Sequence, residues 1–284
     1  MDPDLGLRRR AILTRKIPKT GEELPVVGLG TWQTFDVGAS EKERAPRRQV
    51  LETFYAGGGR VIDSSPMYGK AEGVSGDLIA AQAARDKTFI ATKVWTSGRA
   101  AGAQQLETSL RLLRKRPLDL VQIHNLLDWR AHLPTLREAQ RAGTIRYVGV
   151  SHYTASAYRE LEAVLRAERL DFLQVNYAMD DREAEERILP LAADRGVAVL
   201  VNRPFGGGGL LRRLADQPLP TWASEIGATN WAQVLLKFVL SHPAVTCVIP
   251  GSGNPAHMAD NAAAGIGPIP DASFWKERTA RVLG

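Results

Sequence analysis

The chain has 284 residues, of which 44% are hydrophobic and 24% are charged, and its formal net charge is +6. These values are typical of a globular protein and exclude the disordered and fibrous classes. No apolar run approaches the roughly 18 residues that a membrane-spanning helix needs. The basic residues are spread along the chain, so we expect an anionic small molecule as the partner and no nucleic acid.

The N-terminal segment does not resemble a secretion signal. Arg8–Arg10 are basic, but residues 11–16 are too few and too charged for an apolar signal core. The single cysteine, Cys247, cannot form an intramolecular disulfide, which fits a reducing compartment. We therefore expect a cytoplasmic protein with one domain over residues 1–284, in which residues 1–11 could be a disordered tail.

The first predicted element is a β-hairpin. Residues 12–17 and 24–27 are largely extended in character and flank the turn-forming stretch 18–21. Eight short, β-branched runs follow, as expected for strands buried on both faces: 26–29, 60–63, 88–93, 118–124, 147–151, 171–175, 197–201 and 245–249. Helical patterns alternate with them, at 49–56, 103–115, 155–167, 183–194, 231–240 and 255–264.

Eight buried strands with intervening helices predict an α/β fold, a closed (β/α)8 TIM barrel. We expect the hairpin to close the bottom of this barrel, although it could instead be a frayed tail. The alternative fold is an open, doubly wound sheet. That fold would require a Gly-x-Gly-x-x-Gly turn after the first strand, and residues 29–32 do not provide it.

Polar side chains end five successive apolar runs, where the ligand-binding face of such a barrel lies. They are Asp63, Lys93, His124, Ser151 and Gln174. Any one of them could be structural, since Asp63 could cap a helix and His124 could be a core histidine. Their equivalent positions on neighbouring strands indicate a common site.

Tyr68 follows Asp63 by five residues and could place its phenol over the barrel mouth. The ordinary pKa of a phenol is about 10, and a nearby ammonium group favours the phenolate that remains after a proton is donated. Lys93 could supply that charge, Asp63 could hold Lys93, and His124 could orient a substrate oxygen. With no nucleophilic triad and no metal-ligand spacing, the pattern indicates proton donation to a carbonyl that receives hydride from a nicotinamide.

The chain resembles the aldo-keto reductase family over nearly its whole length. The similar segments are 28–32, 63–69, 92–93, 122–125, 149–151, 174–177, 249–252 and 260–261. The resemblance implies Tyr68 as general acid, Asp63 and Lys93 as the pair that tunes it, and His124 as the residue that orients the carbonyl. It also implies that Ser151 and Gln174 bind the nicotinamide carboxamide.

The sequence departs from the family pattern at several cofactor positions. His152 replaces the usual asparagine of the carboxamide pair, and Asn202 replaces the aromatic ring that stacks on the nicotinamide, with Arg203 and Phe205 nearby. Gly251 and His257 stand where basic residues usually bind the 2′-phosphate, and an always-charged arginine is a better phosphate ligand than a histidine. NADP(H) is favoured from the resemblance, and NAD(H) remains open.

The remaining expected cofactor contacts lie in two loops. Four glycines, which include Gly206 and Gly207, precede Leu210 and could let backbone N–H groups approach a pyrophosphate, or could simply form a flexible surface loop. The second group precedes or lies within the helix predicted at 255–264, whose N-terminus suits a phosphate: Ser252, Asn254, His257 and Asn261.

Three tryptophans follow predicted strands and are expected to line the substrate pocket, or else to cap the barrel core: Trp32, Trp95 and Trp129. The predicted activity is reduction of a small aldehyde or ketone. One alternative is a nicotinamide-binding regulatory subunit with slow or no turnover. Another is an isomerase or lyase in which Lys93 forms a Schiff base. The physiological substrate and the oligomeric state are left open.

Overall fold

The computed structural model describes residues 11–284, so the tail expected over residues 1–11 lies outside the described residues apart from Ala11. The chain begins with an antiparallel hairpin of β1 (Thr14–Lys16) and β2 (Glu23–Pro25). Eight parallel strands then follow one another around a single sheet: β3 (Leu29–Gly30), β4 (Val61–Asp63), β5 (Phe89–Val94), β6 (Leu118–His124), β7 (Ile145–Ser151), β8 (Phe172–Asn176), β9 (Ala198–Asn202) and β10 (Val245–Val248).

The sheet closes on itself between its first and last strands. Parallel bridges join Val27 to Val248 and Gly30 to Gly251. The Gly28 N–H also donates to the Val248 carbonyl oxygen at 2.8 Å. The sheet is therefore a (β/α)8 barrel, as predicted, and the open doubly wound sheet is wrong for this chain.

Helices surround the barrel. They are α1 (Glu41–Ala56), α2 (Ala71–Ala80), α3 (Arg99–Leu112), α4 (Trp129–Arg141), α5 (Tyr158–Ala167), α6 (Ile188–Asp194), α7 (Gly209–Leu214), α8 (Trp231–Ser241), α9 (Pro255–Ala263), α10 (Ala272–Trp275) and α11 (Arg278–Leu283). None of the helices within residues 11–284 is both long and apolar enough to cross a membrane.

The hairpin covers the end of the barrel at which the strands begin. Ile17 and Leu24 are fully buried and belong to one apolar cluster with residues of the barrel interior. That cluster includes Val61, Phe89 and Ala198, the first residues of β4, β5 and β9. The predicted hairpin therefore closes the barrel bottom, and the frayed-tail alternative is wrong for this segment.

Several helix boundaries differ from the sequence prediction. Helix α1 begins at Glu41, whereas the sequence predicted a helix from residue 49. The prediction began too late because the first turns of α1 are polar and contain Pro46, so they show no apolar periodicity. The predicted helices 155–167 and 183–194 each begin with a short 3₁₀ turn, so α5 starts at Tyr158 and α6 at Ile188. Helices α2, α4, α7, α10 and α11 had no predicted counterpart.

Candidate active site

The four predicted catalytic side chains meet at the end of the barrel where the strands finish. Asp63 and His124 are the last residues of β4 and β6, and Lys93 is the last but one of β5. Tyr68 lies in the turn that follows β4. A cavity of about 910 Å³ opens here, with Asp63, Tyr68 and His124 in its wall, while Lys93 lies buried beneath the surface.

A buried ion pair forms the base of the site. Lys93 Nζ donates to Asp63 Oδ2 at 2.6 Å and to the Ser64 carbonyl oxygen at 2.8 Å. The other carboxylate oxygen, Asp63 Oδ1, accepts from the amides of Gln174 at 2.9 Å and Gln122 at 3.3 Å. Burial is the largest single effect and lowers the pKa of Lys93, but the attraction and hydrogen bonds of Asp63 and Tyr68 together outweigh it, and the pKa of Lys93 is raised. The ammonium group is therefore charged at neutral pH.

Tyr68 lies directly over this pair. Its backbone N–H donates to the Ser65 carbonyl oxygen at 3.0 Å, which holds the turn, and Lys93 Nζ is 5.2 Å from the centre of its ring. Burial is the main cause that raises the pKa of Tyr68; the charge of Asp63 raises it further and the charge of Lys93 opposes both. The phenol therefore keeps its proton at neutral pH and has a cation beside it.

His124 is a neutral imidazole next to the phenol. Its ring meets the ring of Tyr68 edge-on, with centroids 5.8 Å apart. Burial, and then the positive charge of Lys93, lower the pKa of His124 to about 3. Its Nδ1 lies 3.0 Å from Ser65 Oγ. When the Ser65 hydroxyl donates to Nδ1, the imidazole proton is on Nε2 and available to a ligand.

Beyond these residues, the cavity wall contains buried polar atoms that have no partner within residues 11–284. They are Ser151 Oγ, Asn202 Oδ1 and Asn125 Oδ1. The Nδ2 of Asn202 donates to the His152 carbonyl oxygen at 3.0 Å, which holds the side chain in place. An unsatisfied buried polar atom costs free energy, so these atoms fit a ligand with its own polar groups, such as the carboxamide of a nicotinamide.

Gln174 lines the cavity, as a carboxamide-binding residue should, but its Nε2 already donates one hydrogen bond to Asp63 Oδ1. Its carbonyl oxygen can still accept a hydrogen bond from a ligand, and the second hydrogen of its amide nitrogen can still be donated. His152 also lines the cavity, and its ring stacks on Tyr153 with centroids 5.6 Å apart. The residues predicted for the nicotinamide thus lie together on β7, β8 and β9 and in the segments that follow them.

The glycine-rich segment after β9 is a compact turn. The three residues of Gly206–Gly208 have φ values of 58°, 67° and 88°, which favour glycine. The N–H groups of Gly206, Gly208 and Leu210 donate to the carbonyl oxygens of Arg203 or Phe205. Of the predicted contacts in this segment, Arg203, Phe205 and Gly207 line the cavity, whereas Gly206 and Leu210 are not among the described residues that line it.

The loop between β10 and α9 forms the far end of the cavity. Asn254 caps α9 by accepting from the Ala256 N–H at 2.9 Å, and Ser252 Oγ donates to the Asn254 carbonyl oxygen at 2.9 Å. His257 and Asn261, four residues apart on one face of α9, are in the cavity wall. Ser252 and Asn254 are not among the described residues that line it, since their side chains stabilise the loop.

The predicted substrate pocket is only partly where the tryptophans were expected. Trp32 lines the cavity and is half exposed. Trp95 and Trp129 are not among the described residues that line it, because the indole of Trp129 turns outward to donate to Glu160 at 3.2 Å and Trp95 is exposed beside α3. Met67 and Tyr153 also contribute to the apolar part of the wall and were not predicted.

Two residues that support the catalytic group were also missed. Gln122 lies two residues before His124 on β6, so both side chains point to the same face of the strand. That spacing was a usable signal for Gln122. Ser65, which contacts His124, follows β4 and has no pattern in the sequence that indicates this role. Among residues 11–284, no cluster of three or more His, Cys, Asp or Glu side chains could hold a metal ion.

Comparisons with known proteins agree with this geometry. The model of the aldo/keto reductase family matches residues 26–276. A methylglyoxal reductase, YeaE of Escherichia coli, is 30% identical over 247 residues, which cover 84% of this chain and 85% of the relative.

Two solved structures show the same architecture. An aldo/keto reductase from Klebsiella pneumoniae in complex with NADP and acetate is 28% identical, with a TM-score of 0.77 and coverage of 92% of each chain. A second aldo-keto reductase from that organism, in complex with NADPH, is 26% identical with a TM-score of 0.76. The match covers 96% of this chain and 95% of that structure's chain.

Proposed function

Because the chain belongs to the aldo/keto reductase family and is an NAD(P)H-dependent carbonyl reductase, we propose that it reduces small aldehydes and ketones with Tyr68 as the general acid. The observation that carries this proposal is the buried Lys93–Asp63 pair, 2.6 Å long, directly beneath a protonated phenol at the mouth of a large cavity. When bound, the reduced nicotinamide supplies the hydride that the carbonyl carbon receives.

Tyr68 donates the proton, and Lys93 stabilises the phenolate that remains. The phenol holds a proton at neutral pH because its pKa is raised by burial. As hydride reaches the carbonyl carbon, negative charge develops on the oxygen, and the phenolic proton moves to it. The Lys93 ammonium then stabilises the phenolate, and Asp63 keeps that ammonium charged and in position.

His124 orients the carbonyl rather than supplying the proton. A histidine whose pKa is about 3 is a neutral imidazole at neutral pH, so it does not compete with Tyr68 as the acid. One imidazole N–H can still donate a hydrogen bond to the substrate oxygen. That bond points the carbonyl at Tyr68 and strengthens as the oxygen becomes negative.

The cofactor residues that we propose fall into three groups along the cavity. The carboxamide meets Ser151, His152, Gln174 and Asn202, where unpartnered polar atoms already face the cavity. The pyrophosphate meets the segment that contains Arg203, Phe205, Gly206, Gly207 and Leu210. The adenosine end meets His257 and Asn261 in the cavity wall, beside the loop that Ser252 and Asn254 stabilise. We propose NADP(H) as the preferred cofactor, supported by the neighbours solved with NADP and NADPH.

The substrates that we propose are small carbonyl compounds, including dicarbonyls of the methylglyoxal type, which the name of one relative indicates. The exposed apolar wall of Trp32, Met67 and Tyr153 contacts a substrate without specific polar recognition. An open wall of this kind fits broad acceptance of small aldehydes.

The test is turnover of NADPH with methylglyoxal and with 4-nitrobenzaldehyde by wild type and by Tyr68→Phe. Loss of the phenolic hydroxyl removes the acid and should lower kcat/KM by about 10² to 10⁴. The affinity for NADPH should change little, since the hydroxyl contacts the substrate. Tyr55→Phe is the matched control, because its hydroxyl contacts only Thr88 at 2.9 Å.

Each outcome has a distinct meaning. If wild type binds NADPH but reduces neither aldehyde, the chain is a nicotinamide-binding subunit and the proposed function is wrong. Equal turnover by wild type and Tyr68→Phe would show that Tyr68 is not the acid. Borohydride trapping of substrate on Lys93 would favour Schiff-base chemistry instead.

A further inference from the structure

The adenosine end of the cavity is short of positive charge. A phosphate monoester, such as the 2′-phosphate of NADPH, carries a charge of about −1.5 to −2 at pH 7. Asp260 adds negative charge to the wall there. Arg203 is the one arginine or lysine among the described lining residues, and its guanidinium lies against Gly207 in the segment after β9. A 2′-phosphate at the β10–α9 loop therefore needs another cation.

Arg47, on α1, lies behind that loop. Its Nε donates to the Thr34 carbonyl oxygen at 2.8 Å. Its Nη2 is 3.5 Å from the point where a side chain on Gly253 would begin, and the Thr34 side chain is 3.9 Å from that point. Thr34 and Gly251 line the cavity, whereas Arg47 and Gly253 do not, so the guanidinium lies just behind the cavity wall at this end. With no side chain on Gly253, the guanidinium and a phosphate could meet across the loop.

Arg47 differs from the other arginines of its helix in having no anionic partner. Arg44 pairs with Asp77 at 2.8 Å, and Arg48 pairs with Glu41 at 2.5 Å. Among residues 11–284, no carboxylate lies within 4.0 Å of Arg47, and its two terminal nitrogens donate to no acceptor. The bond from Nε fixes the guanidinium while leaving its terminal N–H groups free, which suits binding of a phosphate by two hydrogen bonds.

We propose that Arg47 binds the 2′-phosphate of NADPH and sets the preference for NADPH over NADH. This inference rests on the proposed function, in that it places the adenosine of the cofactor at the β10–α9 loop. Arg47 supplies from α1 the charge that neither Gly251 nor His257 provides from the loop and from α9. The phosphate would take the place of the missing carboxylate as the partner of the guanidinium.

The experiment measures dissociation constants of NADPH, NADH, 2′,5′-ADP and 5′-AMP by calorimetry. Arg47→Gln should weaken NADPH and 2′,5′-ADP by about tenfold to a hundredfold, which is the range for losing hydrogen bonds to a charged group. NADH and 5′-AMP lack the 2′-phosphate and should bind as before. Arg48→Gln is the matched control and should leave all four constants unchanged.

Arg47→Lys keeps the charge but loses the planar fork, and should fall between wild type and Arg47→Gln. Arg47→Lys also provides the test of the inference if Arg47→Gln does not fold. An unchanged ratio of NADPH to NADH affinity in both Arg47 variants would overturn the inference, as would a wild type that does not prefer NADPH. If wild type binds neither nucleotide, the proposed function fails as well. Binding of NADPH without turnover would overturn the proposed function alone.

Discussion

Lys93 holds a positive charge at a point that solvent does not reach, and among residues 11–284 Asp63 is the one carboxylate that pairs with it. The side chains are 0% and 3% exposed, and their closest atoms are 2.6 Å apart. A buried pair of this kind gains little free energy overall, but removing one partner leaves the other charge unpaired. The pair itself therefore adds little to stability, and we infer that its role is to place a positive charge beside Tyr68.

Lys93→Met should lower the free energy of unfolding by about 3–5 kcal/mol, because the buried Asp63 loses its counter-charge. The double variant Asp63→Asn, Lys93→Met should recover much of that loss, since no unpaired charge remains. Urea unfolding measures both. Turnover should stay low in the double variant, because the phenolate of Tyr68 still lacks a cation. A double variant that regained both stability and turnover would contradict the role given to Lys93.

Among single residues, the sequence predicted chiefly the polar side chains at or near strand ends, together with Tyr68 in the turn after β4. Asp63 and His124 could be identified because each stops a buried apolar run at the binding face. Gln122 lies inside such a run, where a polar residue is as easily structural. Arg47 has no distinctive spacing from the site residues, and its interest comes from contacts with Thr34 and Gly253 that only the folded chain creates.

At the scale of elements, α2 packs unusually close to the end of α3. A Cβ added to Gly76 would overlap the carbonyl oxygen of Leu112 and lie 2.8 Å from Cα of Leu113. Seven of the ten residues of α2 are buried, so the helix has no polar face to turn outward. This close packing, and the absence of an amphipathic stripe, are the reasons that the sequence pattern did not indicate α2.

Gly76→Ala should destabilise the protein by about 1–3 kcal/mol, because the added methyl group must push two helices apart. Gly73→Ala is the control within the same helix. Its Cβ would meet only Cδ2 of Leu112 at 3.7 Å, an ordinary contact, and alanine should stabilise the helix there by about 0.5–1 kcal/mol. Thermal unfolding of both variants measures the difference. Equal effects would show that α2 and α3 are not in such close contact.

The strands were easier to predict than the helices for a physical reason. A barrel strand is buried on both faces, so its apolar run is nearly unbroken, as at β6, where the predicted and observed limits coincide at 118 and 124. A surface helix shows itself only through periodicity. The polar first turns of α1 and the prolines at positions 46 and 134 in α1 and α4 obscure that periodicity.

At the scale of the molecule, the two ends of the barrel have different tasks. The large cavity, the buried Lys93–Asp63 pair and the unpartnered Ser151 Oγ and Asn202 Oδ1 lie where the strands end. The end where the strands begin is closed by the β1–β2 hairpin and filled with apolar side chains. Such a division lets the binding end carry unsatisfied polar groups, since the apolar end supplies stability.

Leu24 tests that division from the apolar end. Its side chain is fully buried among residues of the barrel interior, so Leu24→Ala should cost about 2–5 kcal/mol in the free energy of unfolding, from lost burial and a residual cavity. Leu13 precedes the same hairpin but is 40% exposed, and Leu13→Ala should cost less than about 1 kcal/mol. Urea unfolding gives both values.

Below its unfolding transition, Leu24→Ala should bind NADPH within about twofold of wild type, because effects at distant sites are nearly independent. Fluorescence titration with NADPH measures this directly. A loss of affinity that matched the loss of stability would mean that the hairpin transmits strain through the barrel to its opposite end. Unchanged affinity in a clearly destabilised variant would mean that the hairpin acts on the fold alone and that the strand ends keep their geometry without it.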